Sequence, residues 1–366
     1  MGLEPTLVMS AGDLDLRLPY ITTGLPGIGG RVRARPDLFV VEEIPAYDPL
    51  GYGGHLYVSL TKELKTTRET QLRIAALLGL RPEDVGHAGL KDKYARTTQT
   101  FSILLGDRRP DIEAITDLIE SSLGVEVRWA RLHPRKLRSG HLRGNRFTVT
   151  VTEIDLPAEE AERRARLISE SIRVTGAPNY YGSQRIGAGG DNASTGLRIL
   201  SGEHREPNRW LRRYLISSYL SYLCNRYIAE RMRRDLFTTM LAGDVAKKHD
   251  TGGVFWVEDP AAEQPRCDMG EISWTAPMFG TRMRAARADA SLLEGEVFGE
   301  SGLTMDLLRR QGVEGSRRIG RLIPGVEVGH HPEGLTMSFD LPAGGFATTI
   351  LREFMKDDAV DAEEEA

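Results

Sequence analysis

Two periodicities divide this chain. Apolar and polar residues alternate with the period of a strand at both ends of the sequence, in Val125-Glu-Val-Arg-Trp129, Thr148–Thr152 and Leu335, Met337, Phe339 and Leu341. Between the last two, the stretch Pro207–Arg234 keeps a helical period, with Ile216, Leu220, Leu223 and Tyr227 on one stripe. Segments separated in this way can share one sheet only if the helical stretch loops out of it. At 366 residues the chain also exceeds one typical domain. We therefore expect a first domain over 1–187 and 323–356 and a second, inserted domain over 188–322.

Further strands are predicted at Phe39–Glu43, His55–Leu60 and Phe101–Leu105 from their β-branched and aromatic residues. Helices fall between them. Thr66-x-x-Glu69 is a capping box, after which Leu72, Ala75, Ala76 and Gly79 share a face up to Leu80. Ile112, Ile115 and Ile119 mark a second helix that stops at Gly124, and a third is predicted over Ala158–Ile172. Half-exposed strands mixed with helices give an α+β fold with a mixed, largely antiparallel sheet. Gly176–Gly187, dense in Gly, Asn and Pro, reads as an ordered turn, and Thr251-Gly-Gly253 before Val254–Val257 as a hairpin. After a turn at Pro342–Gly345, Ala347, Ile350, Leu351 and Phe354 form a helix face.

The formal net charge of −4 conceals its own distribution. Six acids lie in 357–366, an acidic tail expected to be disordered, so the other 356 residues carry +2. Val127–Thr152 holds seven Arg or Lys and no acid, a candidate phosphate-facing surface that includes Arg135, Lys136, Arg138 and Arg143. The helical stretch with Arg205 just before it carries eight arginines, a second candidate RNA contact. Cys224 and Cys267 form no CxxC pair and no His-Glu-x-x-His occurs, which argues against a disulfide framework and a zinc site and suits a reducing cytoplasm. We expect neither a signal peptide nor a membrane span.

Chemistry concentrates in Gly86-His-Ala-Gly-Leu-Lys-Asp-Lys-Tyr-Ala-Arg-Thr-Thr-Gln99. Lys91, Lys93 and Arg96 surround the single carboxylate of Asp92, and nearby cations favour the ionised form that makes a carboxylate a nucleophile. Gly86 and Gly89 permit a tight turn, which places Asp92 on a loop entering a strand.

Ala88-Gly-Leu-Lys-Asp-Lys-x-Ala-x-Thr-x-Gln99 resembles the catalytic motif of the TruD family of tRNA pseudouridine synthases, in which the Asp is catalytic. Arg33-x-x-Pro-x-x-Phe-x-Val41 resembles the family's N-terminal motif, with Arg33 at the usual Lys. Gly144-Asn-Arg-Phe147 resembles its second motif, whose Asn and Phe line the uridine pocket. Asn179-Tyr-Tyr-Gly-Ser-Gln-Arg-Ile-Gly187 is similar to a third, with Tyr181 and Ile186 departing at two aromatic positions while Gln184 and Arg185 are kept. Leu341-Pro-Ala-Gly-Gly-Phe346 resembles the C-terminal motif, whose Phe stacks on the target base.

The resemblance implies a pseudouridine-synthase-like catalytic domain with an inserted α+β TRUD-type domain. It further implies isomerisation of a tRNA uridine, position 13 in this family, without metal or cofactor and with no obligate protein partner. Asp92 would be catalytic; Arg33, Lys91, Asn145, Phe147 and Phe346 would bind the nucleotide, with Arg33 and Lys91 steadying the carboxylate or a neighbouring phosphate. Arg135, Lys136, Arg138, Arg143, Gln184 and Arg185 would contact RNA. Two readings compete: a non-catalytic tRNA-binding or chaperone protein of the same fold, and a retaining carbohydrate hydrolase. The hydrolase needs a second carboxylate about 5–5.5 Å from the first, and Gly86–Gln99 supplies none. A zinc base deaminase would need His-x-Glu and Pro-Cys-x-x-Cys, which the chain lacks.

Overall fold

A computed structural model of the chain describes residues 14–106 and 111–357; the expected acidic tail lies outside them except for Asp357. The chain divides into two compact units. The sheet unit is Ile28–Ser169 with Gly325–Gly345, and the helix-rich unit is Met1–Gly27, Glu170–Pro324 and Phe346–Ala366.

The sheet unit runs β1 (Phe39–Pro45), β2 (His55–Lys62), α1 (Thr67–Leu77), β3 (Val85–His87), β4 (Arg96–Leu104), α2 (Ile112–Leu123), β5 (Glu126–His133), β6 (Leu142–Thr152) and the first part of α3 (Ala158–Thr175). Its eight-stranded sheet is ordered β13-β14-β6-β1-β4-β2-β5, with β3 on β4 and with β13 (Glu327–His331) and β14 (Gly334–Pro342) from the late part of the chain. β1 and β4 pair in parallel, with Val40 opposite Arg96; the other pairings are antiparallel. One apolar layer joins Leu56, Val58, Leu60, Phe101 and Ile103 of the sheet to Ile74 of α1 and Ile115, Ile119 and Leu123 of α2.

The buried face of α1 is not the one its apolar residues suggest. Leu72 is 40% exposed, while Thr67, Thr70 and Gln71 face inward with Ile74 and Ala75. These polar side chains are inside because they hold other segments. Gln71 Nε2 donates to the carbonyls of Pro82 and Val85, at 3.0 and 2.7 Å. β4 and β6 likewise start earlier than expected; in β4, buried Gln99 and Thr97 interrupt the apolar alternation of the strand. Gly86 serves close approach rather than a turn: a Cβ there would lie 2.2 Å from the Leu137 carbonyl oxygen. Gly144 is needed for the same reason, 2.0 Å from the Leu341 carbonyl oxygen.

The helix-rich unit takes in the end of α3, then β7 (Ala177–Pro178), α4 (Ser183–Ile186), α5 (Asp191–Ser201), α6 (Arg209–Arg233), β8 (Val245–Lys248), β9 (Val254–Trp256), α7 (Pro260–Asp268), β10 (Ile272–Met278), α8 (Ala288–Glu300), α9 (Met305–Arg310), β11 (Ser316–Ile319), β12 (Arg321–Leu322) and α10 (Ala347–Met355). β8 and β9 are the expected hairpin, inside a four-stranded sheet of order β11-β10-β8-β9. Ser183–Ile186 forms one helical turn where the sequence suggested only a turn; Gly187, at φ +96°, ends it. Beside the expected boundaries at 187/188 and 322/323, the two compact units divide at 27/28, 169/170, 324/325 and 345/346. Tyr180 and Ile186 share a core with Leu220, Tyr227 and Trp274, which draws Glu170–Gly187 into this unit. α10 joins it through Thr349, whose Oγ1 donates to the Tyr180 carbonyl, and through buried Glu353, which accepts from the Ile21 and Thr22 N–H groups.

The centre of this unit is an arginine. Arg231 is wholly buried, bidentate on Asp244 at 2.8 and 3.1 Å, and lies 4.2 Å from the centroid of the Trp274 ring. Removing one partner of such a pair strands the other charge away from water. Asp244→Ala is expected to cost about 3–5 kcal/mol, read as a lower denaturant midpoint, and to leave the sheet unit's secondary structure in place.

Candidate active site

Asp92 lies in the loop between β3 and β4, and this loop is held from three sides. The Lys91 N–H donates to Thr67 Oγ1 at 2.9 Å, and Thr67 in turn donates to Gln99 Oε1 at 3.0 Å. Gln99 Nε2 donates to the Gly89 carbonyl at 2.6 Å, and the Gly140 N–H to the Ala88 carbonyl at 2.7 Å. Gln99 is wholly buried, so the last residue of the motif is a strut for the loop. Asp92 itself is part open, its side chain 20% exposed, and Oδ1 accepts the Tyr94 N–H at 2.9 Å.

The cation on Asp92 comes from far away in sequence. Arg33 Nη2 is 3.2 Å from Asp92 Oδ2, and the arginine side chain is 8% exposed. The neighbouring cations expected there are engaged elsewhere. Lys91 donates to Glu43 Oε2 at 2.8 Å with both side chains 3% exposed, Arg96 pairs with Glu63 and Glu126, and Lys93 lies over the Tyr94 ring. Strand geometry explains the exchange: β1 pairs directly with β4, which brings Glu43 within β1, and Arg33 from the segment before it, to the motif loop. Arg33 has φ +61°, the left-handed region that a non-glycine residue adopts at some energetic cost. Its guanidinium sits 4.6 Å from the Phe39 centroid.

Phe147 is buried in the same aromatic row, edge-on to Phe39 at 6.5 Å and stacked on Phe339 at 5.6 Å. It thus supports the ring that carries Arg33. Asn145, two residues along the same strand and opposite Glu43 and Leu341, has a buried Oδ1 without a hydrogen-bond partner among the described residues. Leu90, in the motif loop two residues before Asp92, is 77% exposed.

Phe346 belongs to the helix-rich unit as the N-cap of α10, 40% exposed. Its ring lies 5.9 Å from that of Tyr181, and the Arg318 guanidinium is 4.0 Å from the Tyr181 centroid and 5.2 Å from that of Phe346. Gln184 and Arg185 are on α4 of the same unit. Arg135, Arg138 and Arg143 are exposed, with no carboxylate in ion-pairing range among the described residues, whereas Lys136 donates to the Glu83 carbonyl. Arg128 and Arg146, from the same basic stretch, are paired with Glu126 and Asp340.

The sequence profile of tRNA pseudouridine synthase D (TruD) matches residues 15–209 and 204–354. The chain belongs to the TruD family. It is 42% identical over 357 residues to the tRNA pseudouridine synthase D of Anaeromyxobacter dehalogenans strain 2CP-C, covering 95% of this chain and 99% of that one. With the protein of the same name from Thermus thermophilus it shares 43% over 347 residues, 94% of each. A solved Methanosarcina mazei structure, described as a putative TruD protein, superposes with a TM-score of 0.70 at 22% identity, over 95% of this chain and 97% of that one. The pseudouridine-synthase-like α+β fold of the family is therefore the fold of this chain. Among the described residues no helix is long and apolar enough to cross a membrane, and no group of three or more His, Cys, Asp and Glu could hold a metal ion.

Within this TruD-family site the sequence reading passed over Glu43 and Lys62. Glu43 stands just past the N-terminal motif, and a carboxylate within a predicted strand was a signal for a buried cation. Lys62 ends β2 with 2% exposure and donates to the Lys65 carbonyl at 2.7 Å. Burial pushes its ammonium down to about 8, repulsion from Lys91 adds to this, and attraction to Asp92 opposes it. In the unfolded chain this lysine titrates near 10.5. The folded state is therefore penalised while both forms carry the proton, and the penalty fades as pH rises from about 8 to 10.5. Lys62→Met should raise stability relative to the parent at pH 7, with the difference shrinking by up to roughly 3 kcal/mol by pH 10.5. Denaturant melts across that range check it, and a pH-independent difference would mean that Lys62 titrates as an exposed lysine does.

Proposed function

We propose that this chain isomerises a uridine of tRNA, position 13, to pseudouridine, with Asp92 as the catalytic carboxylate. The observation that carries the assignment is a part-exposed carboxylate paired with a nearly buried arginine, on a loop fixed by Gln99 and Thr67, inside the motif that marks the family. The reaction breaks the N1–C1′ bond of uridine, turns the freed base and joins C5 to C1′, so no group is added and nothing is oxidised. One carboxylate meets that need, as a nucleophile at C1′ or as a base for a sugar proton, and neither route requires a metal or cofactor.

Arg33 pairs with Asp92 and fixes its direction. Asn145 presents an unsatisfied amide oxygen to the edge of the base. A uridine inside an RNA must leave its stack to react, and aromatic stacking offsets that cost. The exposed ring of Phe346, backed by Tyr181 and Arg318, supports a stacking role for it. Arg135, Arg138 and Arg143 supply positive charge suited to phosphates, and Arg185 lies with Gln184 on α4 as a further contact. Lys91, tied to Glu43, supports the loop from beneath. Two buried free cysteines accord with a cytoplasmic place of action.

Asp92→Asn keeps the shape and removes the charge, so it should abolish pseudouridine formation on a tRNA transcript while changing tRNA affinity by no more than a few-fold. Turnover within tenfold of the parent would overturn the assignment, and normal binding without any turnover by the parent itself would favour the non-catalytic binding protein. Phe346→Ala should lower turnover efficiency by about 5- to 150-fold with little change in denaturant midpoint. A loss of about 3–5 kcal/mol in stability with normal catalysis by the folded fraction would make Phe346 a core residue instead.

A further inference from the structure

The arginines of α6 and its flanks separate into two groups once their partners are known. Toward the C-terminal end Arg226 pairs with Asp15 and Glu230, Arg231 with Asp244, Arg233 with Glu230, and Arg234 with Glu230 and Glu296. At the other end Arg212 donates to Gln311, and Arg205, Arg209 and Arg213 are exposed with no carboxylate in ion-pairing range among the described residues. The unpaired arginines are therefore confined to the beginning of the helix and the residues just before it.

Among those cations stands Trp210, 71% exposed. Its ring is stacked on Tyr214, one helical turn on, with centroids 5.5 Å apart and planes 10° from parallel. The guanidinium of Arg185, on α4, lies 4.8 Å from the Tyr214 centroid, and Tyr214 Oη donates to the Gln184 carbonyl at 2.8 Å. The result is a ladder, Arg185, Tyr214, Trp210, anchored at its inner end and with indole surface left in water at its outer end. The backbone N–H groups of Trp210 and Leu211 are taken by Asn208 Oδ1. An indole this exposed loses little in the fold if removed, and a large flat apolar surface flanked by exposed arginines matches a nucleobase with its phosphates.

We propose that Trp210 is a stacking platform for an unpaired nucleotide of the tRNA, outside the nucleotide that reacts, with Arg205, Arg209 and Arg213 holding the adjoining phosphates. The proposal rests on the tRNA reading given above and extends it to the beginning of α6. Because a π face accepts any base, the platform should add affinity without demanding a sequence at that nucleotide.

The test compares the full-length parent with Trp210→Ala, Trp210→Phe and the double variant Arg209→Ala/Arg213→Ala, using fluorescence anisotropy of a labelled unmodified tRNA transcript, with isomerisation followed in parallel. Trp210→Ala should raise Kd by at least about 5-fold and raise KM similarly, with kcat at saturating tRNA and the dependence on salt unchanged. Trp210→Phe should retain most of the affinity. The double arginine variant should instead flatten the log–log salt dependence, by about 0.7 for each phosphate no longer neutralised. A Kd for Trp210→Ala within twofold of the parent, with its circular dichroism intact, would overturn the platform. So would concentration-dependent self-association of the parent that Trp210→Ala abolishes while tRNA affinity stays the same, since the indole would then cover a second copy of the chain. If the parent binds tRNA without isomerising it and Trp210→Ala weakens that binding, the platform stands and the enzymatic reading fails; if the parent isomerises normally and Trp210→Ala binds normally, the reverse holds.

Discussion

The ion pair between Arg33 and Asp92 is the interaction on which the arrangement of the sheet unit turns. A carboxylate fully open to water needs no partner, but one that is mostly buried does, because an unpaired charge away from water is costly. The pair depends on several features that are far apart in the chain: the left-handed backbone at Arg33, the aromatic row of Phe39, Phe147 and Phe339 against its guanidinium, and the parallel pairing of β1 with β4 in a sheet that is otherwise antiparallel. An arginine suits the place better than a lysine would, since a guanidinium can lie flat on the Phe39 ring and still reach the carboxylate with Nη2.

Beneath this pair lies a second, Lys91 with Glu43, almost sealed from water. The two alternate along the motif: Lys91 turns inward to fix the loop and Asp92 turns outward with part of its surface open. Lys62, buried close enough to feel both Lys91 and Asp92, adds a third positive charge whose ionisation the fold disfavours. Such a cluster of charges in one small volume is costly to stability and is typical of a site arranged for chemistry rather than for packing. In the helix-rich unit charge is used in two other ways, as a sealed core pair in Arg231 and Asp244 and as exposed surface arginines at the beginning of α6.

Much of this was legible along the chain. The alternation at Leu335–Leu341, the stripe of Ile216, Leu220, Leu223 and Tyr227, the cap at Thr66 and the stop at Gly124 are local patterns, and each follows from the geometry of one element. The motif around Asp92 was legible for a similar reason, because loop, strut and carboxylate sit within fourteen residues. What misled were polar residues that face inward. Thr67, Thr70 and Gln71 made Leu72 look like the buried side of α1, and Thr97 and Gln99 hid the first half of β4.

Residue types at short, regular spacings were enough for the α+β class and for many of the elements of the sheet unit, and the ordered motifs were enough for the family. Long-range packing settled the rest: which cation meets that carboxylate, which arginines of a basic helix remain available, and that Phe346 and α10 pack with the helix-rich unit. Those outcomes depend on pairings between residues far apart in the chain: 59 positions separate Arg33 from Asp92, and 48 separate Glu43 from Lys91. A charge counted along the sequence carries no record of its partner. Strand register and burial choose that partner, and burial then sets how much the choice matters.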